Sequence, residues 1–269
     1  MRSKSIILVL IMMLSIATIS FADEDIIEGS IDPKINVNKI NNQLLQFGFT
    51  KEQIDKLKYE TKETILSIEN PGKVLSFEES YLRRNSSGEL IRTQSLDESE
   101  LRLLITAIEI PDIEGYKAVK LVAQYEWLIS PVYALTDNLG ISWSPGWLAY
   151  RYELDNYYTI PITGGTAHNE GNAYVEDLTS GIVFEFDFHG YKGEHGNAYV
   201  DIIADNMDII KQSSHSAARV IYGHDLYVPN LSIGIDISPT PGVSAGFSVE
   251  GTSEYLDKPT SWENSEILD

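Results

Sequence analysis

Two periods divide the hydrophobic positions of this chain. Between residues 36 and 69 they recur at helical spacing; from Val74 onward they alternate. In the first region Ile40, Leu44 and Phe47 form one stripe, and Gly48 stops it. Phe49-Thr50-Lys51-Glu52-Gln53-Ile54 opens a second helix: Thr50 and Gln53 have capping-box spacing, and Phe49 can staple to Ile54. Leu57 continues that stripe, Ile65 and Ile68 add a further turn or two, and Asn70-Pro71-Gly72 ends the region. The pattern predicts two or three short helices forming a head over residues 36–72. It also predicts a separable head, because alternation begins only after Pro71.

The rest reads as strands. Val74 to Leu96 predicts two, joined at Asn85-Ser86-Ser87-Gly88, and Leu101–Ile110 and Lys117–Ile129 predict two more. Others fall near 148–160, 171–176, 181–189, 195–203, 217–228, 231–238 and 243–255. About ten strands with turn signals and no helical pattern between them predict an antiparallel β-sandwich over residues 73–269, not a parallel α/β sheet. Gly171-Asn172-Ala173-Tyr174-Val175 nearly recurs as Gly196-Asn197-Ala198-Tyr199-Val200. With no third copy, these read as two similar strand starts rather than a repeat architecture.

The N-terminus follows neither period. Arg2 and Lys4 precede an apolar run from Ile6 to Ile19, and Ser20-Phe21-Ala22 is a small-x-small cleavage site. Residues 1–22 therefore read as a secretory signal peptide cleaved after Ala22. The run is shorter than the ~20 residues a membrane span needs, so no stable membrane anchor is expected. Residues 23–35 read as a flexible acidic leader. The expected location is extracellular, and N-terminal sequencing of protein from culture medium tests it.

Charge and composition narrow the function. The 269 residues carry 20 Lys and Arg against 40 Asp and Glu, a net charge of −20. Nucleic-acid binding is excluded, because counterion release needs clustered cations. There are no cysteines. Disulfides, thiolate metal sites and cysteine nucleophiles are therefore excluded. No nucleophile elbow, His-Glu-x-x-His helix, P-loop or Gly-x-Gly-x-x-Gly occurs.

Three groups of residues are chemical candidates. Trp143, Trp147, Tyr150, Tyr152, Tyr157 and Tyr158 cluster within sixteen residues, with Trp127 upstream. Exposed, they would stack on sugar rings; buried, they are core. Tyr150 and Tyr152 share a strand face with Leu148 and Leu154, which predicts them inward. Trp147, beside Pro145-Gly146, is the expected exposed platform. Trp143, Trp147, Tyr157 and Tyr158 make up the candidate ligand-binding set.

The second candidate is a hairpin over 182–202. Ile182, Phe184, Phe186 and Phe188 take one face and Val183, Glu185, Asp187 and His189 the other. Gly190-Tyr191-Lys192-Gly193-Glu194 fits a five-residue loop. In that register His189 opposes His195 and Asp187 opposes Asn197. His189, His195 and Asp187, with Glu185 or Glu194, then form a candidate divalent-metal set. A solvated acidic face is the competing reading. The third candidate is the alternating hairpin Leu231–Ser238 and Val243–Glu250, with a turn at Pro239-Thr240-Pro241-Gly242. Pore-forming toxins insert such hairpins, and sandwiches contain them too.

Two stretches carry a resemblance: Pro131-Val132-Tyr133 with Thr136-Asp137 and Gly140-Ile141-Ser142-Trp143, and Tyr222-Gly223-His224 with the Ser- and Gly-rich run from Leu231 to Tyr255. Together with the signal peptide and the Gly-Phe-Thr-x-x-Gln-Ile head, they resemble a family of uncharacterised secreted proteins of Firmicutes. The resemblance implies secretion and a mostly-β body, and carries over no catalytic or binding residue. The expected function is a secreted, non-catalytic binding or interaction module for an extracellular glycan or protein. Alternatives are a cell-wall glycan-binding module, a secreted hydrolase built on acidic residues, and a pore-forming protein. The sequence leaves the oligomeric state open.

Overall fold

The computed structural model describes residues 33–84, 90–93, 99–130, 136–160, 163–175, 177–224, 234–239, 245–250 and 254–268. The residues read as signal peptide and leader, up to 32, and positions 85–88 and 240–242 of the two expected turns lie outside the described residues.

Three helices lead the chain: α1 (Pro33–Gln46), α2 (Lys51–Lys56) and α3 (Tyr59–Leu66). The strands β1 (Val74–Arg84), β2 (Leu90–Thr93), β3 (Leu101–Ile113), β4 (Tyr116–Trp127) and β5 (Thr136–Trp143) follow. Next come β6 (Trp147–Thr159), β7 (Thr166–Glu170), β8 (Asn172–Tyr174), β9 (Gly181–Asp187) and β10 (His195–Ala204). After helix α4 (Met207–Gln212) come β11 (His215–His224), β12 (Gly234–Pro239), β13 (Ala245–Glu250), β14 (Glu254–Glu263) and helix α5 (Ser265–Leu268). The first helix starts at Pro33, inside the expected leader, at the position where a missing N–H costs nothing.

The strands form an antiparallel sandwich. One sheet runs β2-β1-β3-β4-β10-β6-β7 and the other β14-β11-β5-β9-β8; β12 and β13 pair as a separate ribbon, with Ile235 opposite Val249 and Ile237 opposite Phe247. Between the sheets lies the main core, which includes Tyr125, Trp127, Trp143, Trp147, Phe184, Phe186 and Tyr222. Among the described residues no helix is long and apolar enough to cross a membrane.

The helices build a second core on the outer face of the seven-stranded sheet. Ile40, Leu44, Phe49, Ile54, Leu57 and Ile65 pack with Leu104, Ile108, Val122 and Ile203. Locally the head forms as the pattern predicts. Gly48 leaves α1 at φ +96°, a conformation that favours glycine. Thr50 accepts from the Gln53 N–H at 3.2 Å while Gln53 Oε1 accepts from the Thr50 N–H at 2.8 Å. Gln124, buried in β4, closes the break between α2 and α3: its Oε1 accepts from the Lys58 N–H at 2.7 Å and its Nε2 donates to the Lys56 carbonyl at 3.2 Å. Asn197 Nδ2 donates to Thr64 Oγ1 at 3.0 Å, and His195 Nε2 lies 3.1 Å from Glu60 Oε2. These contacts argue against a separable head, because it covers an apolar sheet face that would otherwise meet water.

Two strand readings also need correction. The sheet register in β6 passes from Arg151↔Asp201 to Ala149↔Ile202, so Tyr150 is an extra residue. This bulge switches the inward side, with Trp147 and Ala149 buried before it and Leu154 after. Tyr150 is accordingly exposed, and Tyr152, on the same side as Leu154, meets Phe184 edge-on at 6.4 Å from the partly open rim of the core. Second, β9 and β10 are not a hairpin, since they belong to different sheets. The alternation that suggested side-by-side pairing is satisfied across the core instead: Phe184 and Phe186 from one layer meet Ala198 and Val200 from the other.

Candidate functional site: a groove beneath the helical head

The aromatic candidates are mostly inside. Trp143 and Trp147 are each 1 % exposed, Tyr158 is buried and Tyr157 half-buried. Trp147 is no platform: its Nε1 donates to Ser216 Oγ at 2.8 Å, and its ring meets Trp262 edge-on at 6.1 Å. Trp143 Nε1 donates to the Trp147 carbonyl at 3.2 Å. A buried indole with a satisfied N–H is core, so Trp147→Ala is expected to cost about 3–5 kcal/mol. Denaturant unfolding measures it; an unchanged midpoint would return Trp147 to the surface.

The metal candidates do not converge. Glu194, fully buried, is the pivot of the crossover between the sheets. Its carboxylate accepts from the N–H groups of His189 (3.0 Å) and Tyr191 (3.2 Å) and from Asn156 Nδ2 (2.8 Å). The His189 ring stacks on Tyr158 at 3.8 Å. His195 pairs in register with Glu126 and Tyr157, not with His189, and its ring stacks on Tyr157 at 5.5 Å. The Asp187 carbonyl accepts from Asn156 and Asn169, while Glu185 accepts from the Tyr174 hydroxyl at 3.3 Å. Among the described residues no three His, Asp or Glu side chains gather as a metal would need.

Parts of the two stretches that carry the resemblance lie on neighbouring strands, with Gly223 of β11 opposite Asn138 of β5, while Pro131-Val132-Tyr133 lies outside the described residues. Asp137 there accepts from the Tyr222 hydroxyl and lies 2.9 Å from His224 Nδ1, and Tyr222 in turn accepts from Trp127 Nε1 at 2.9 Å. An Asp–His pair resembles half of a catalytic triad. Here the carboxylate is shared with a tyrosine, both partners are at most 1 % exposed, and the ring lies against Trp127 and Phe188. This is a polar clamp inside the core.

The same clamp makes the fold sensitive to alkali. Burial pushes the Tyr222 and Tyr125 hydroxyls well above the usual phenol range, and the carboxylates of Asp137 and Glu194 add to the shift. Burial, with Glu153, also pushes Tyr199 up to about 12. Unfolded phenols ionise near ~10. Above that pH the unfolded chain releases protons that the folded chain keeps, so this stability, complete below pH ~10, falls as pH rises through the folded values. Guanidinium midpoints measured from pH 8 to 11 are expected to drop above pH ~10, together with the appearance of phenolate absorbance.

A concave feature of the surface lies elsewhere, on the outer face of the seven-stranded sheet. A groove of about 480 Å³ is bounded by Ser67, Ile68 and Glu69 after α3 and by Ile110, Pro111, Asp112 and Ile113 at the end of β3. Lys120, Arg151 and Tyr199 line it between those walls. The sheet register sets these three: Asp201 of β10 stands opposite Lys120 of β4 on one side and Arg151 of β6 on the other. Asp201, fully buried, accepts from Arg151 Nε at 2.8 Å and Nη2 at 2.6 Å, and its other oxygen lies 2.7 Å from Lys120 Nζ. Lys120 Nζ also sits 3.7 Å from the centre of the Tyr199 ring, whose hydroxyl donates to Glu153 at 2.9 Å.

Electrostatics separate the two cations. Burial lowers the Lys120 pKa, with Asp201 opposing. The hydrogen bonds it donates to Asp201 raise that of Arg151. The Lys120 side chain is 4 % exposed and spent on its neighbours, whereas that of Arg151 is 62 % exposed. Arg151 Nη1 has no protein partner among the described residues. The volume falls in the range of small-molecule sites. Sequence reasoning missed this group, yet a signal existed. Lys120 is the lone charge in Ala118-Val119-Lys120-Leu121-Val122-Ala123, and Asp201 the lone charge in Ala198-Tyr199-Val200-Asp201-Ile202-Ile203-Ala204.

No protein-family model matches the sequence, and no curated protein matches it. Solved structures with a weak likeness include the following two. One concerns pH-induced modulation of Streptococcus parasanguinis adhesion by Fap1 fimbriae: 8 % identity, 72 % of this chain and 98 % of that one covered, TM-score 0.33. The other reports manganese lipoxygenase of Gaeumannomyces graminis with part of zonadhesin of Komagataella pastoris: 8 % identity, 72 % and 78 % covered, TM-score 0.27. Likeness this slight carries no argument about the chain's function.

Proposed function

We propose that the chain is an exported, non-catalytic binding module that works outside the cell and takes a small ligand in the groove beneath its helical head. One observation carries this reading: an exposed arginine, held in place by a buried carboxylate, lines a concave site of ligand size. A side chain fixed before binding loses little rotamer freedom on binding. The basic, then apolar, then small-x-small N-terminus supports export. The glycan reading loses its main carrier with Trp143 and Trp147 in the core.

The test is thermal unfolding of the full chain against free amino acids, short peptides, neutral oligosaccharides and acidic sugars. At least one class is expected to raise the melting temperature, with the rise lost in Arg151→Gln and kept in Tyr174→Ala, a change at an exposed edge. Shifts that all survive Arg151→Gln would move the site out of the groove.

A further inference from the structure

We infer, building on the groove as the binding site, that its ligand is a short peptide with free ends, whose carboxylate meets Arg151 and whose ammonium meets the carboxylates of Glu69 and Asp112. The argument starts from which charges are available. Lys120 is committed to Asp201 and Tyr199 and has almost no exposed surface. Arg151 keeps Nη1 unused, and its planar guanidinium suits a carboxylate. The anionic end of a ligand therefore goes to Arg151.

The walls specify the remainder. Glu69 and Asp112 are both exposed in the lining, one following α3 and the other at the end of β3. Among the described residues Asp112 has only a long contact, 3.9 Å, to Lys117. A ligand with negative charge alone would approach these two carboxylates and a protein of net charge −20. One with a compensating ammonium meets no such repulsion, and the rim attracts its positive end. Between the charged ends the lining adds exposed Pro111 and half-buried Ile113, beside Ile68 and Ile110, which are mostly buried under the helical head. Pro111 and Ile113 can meet one aliphatic side chain, and about 480 Å³ accommodates two or three residues.

Leucyl-leucine, its C-terminal amide and its N-acetyl form are the probes, titrated calorimetrically into the full chain. The free dipeptide is expected to bind, and each blocked form at least tenfold more weakly. Glu69→Gln with Asp112→Asn should remove the preference for the free amine and leave that for the free acid. Arg151→Lys and Arg151→Gln should do the reverse. Melting curves of each variant establish that it is folded, and the rim variant alters exposed side chains only. Equal binding of the acetylated and free forms would overturn the ammonium contact, and equal binding of acid and amide the carboxylate contact. If no peptide binds but another ligand class gives an Arg151-dependent shift, this inference fails while the groove stands. If no class binds, both fail.

Discussion

A chain beginning at Gly72 is expected to lose its cooperative melting transition, bind hydrophobic dyes and aggregate. The helical region forms its own cluster with Leu104, Ile108, Val122 and Ile203, and those sheet residues are buried only because helices cover them. Truncation would uncover the outer face of the central strands β3, β4 and β10 while the inner face stays packed. It would also strand Gln124, whose two amide contacts both go to the backbone between α2 and α3. An exposed apolar patch on a central sheet face marks a region for association. A graded version leaves the chain whole: Leu44→Ala, at a fully buried position, is expected to cost about 2–5 kcal/mol. Circular dichroism melts check both. A soluble, cooperatively folded truncation would show that the outer core adds nothing to the sandwich.

What could be read in advance depended on whether the signal was local. The capping box at Thr50 and Gln53 involves residues three apart, and it formed as read. The antiparallel sandwich followed from alternation and turns. Partner choice did not, since alternation says that Phe184 and Val200 face apolar surroundings without saying whether they lie side by side or across a core. Hence β9 and β10 were paired wrongly. The near-copies at 171–175 and 196–200 show the same limit: the first gives a three-residue exposed strand at a sheet edge, the second a strand paired on both sides. The bulge at Tyr150 has no sequence signature and shifted every face assignment before it. The groove was invisible for a related reason, because Lys120, Arg151 and Asp201 become neighbours only through strands distant in sequence.

Asp201→Ala is expected to destabilise the protein by about 3–5 kcal/mol, among the largest effects of any single charged residue. Asp201 is fully buried and neutralises Lys120, itself only 3 % exposed. Removing the carboxylate leaves a buried ammonium over the Tyr199 ring, with Arg151 opposing its charge and Glu153 alone favouring it. Arg151, whose side chain is largely exposed, loses its anchor but keeps its water. The pair Lys120→Met with Asp201→Leu removes both buried charges and is expected to regain most of the stability. Guanidinium unfolding of the single and double variants measures the recovery. A double variant no more stable than Asp201→Ala would show that the loss came from packing and not from an uncompensated charge.

The place of β10 sets the order in which the molecule can be assembled. This strand enters the seven-stranded sheet between β4 and β6, so two strands separated by many residues must wait for a third that comes later than both. A growing chain that ends before His195 holds β4 with one edge bare and β6 without its neighbour. It also lacks His195 and Asn197, the contacts that tie α3 to the sheet. Closure over so long a loop is slow, because the entropy of bringing distant segments together comes before any reward. A polypeptide emerging from the N-terminal end therefore stays open for most of its length. It completes its first layer only when about three quarters of it is present.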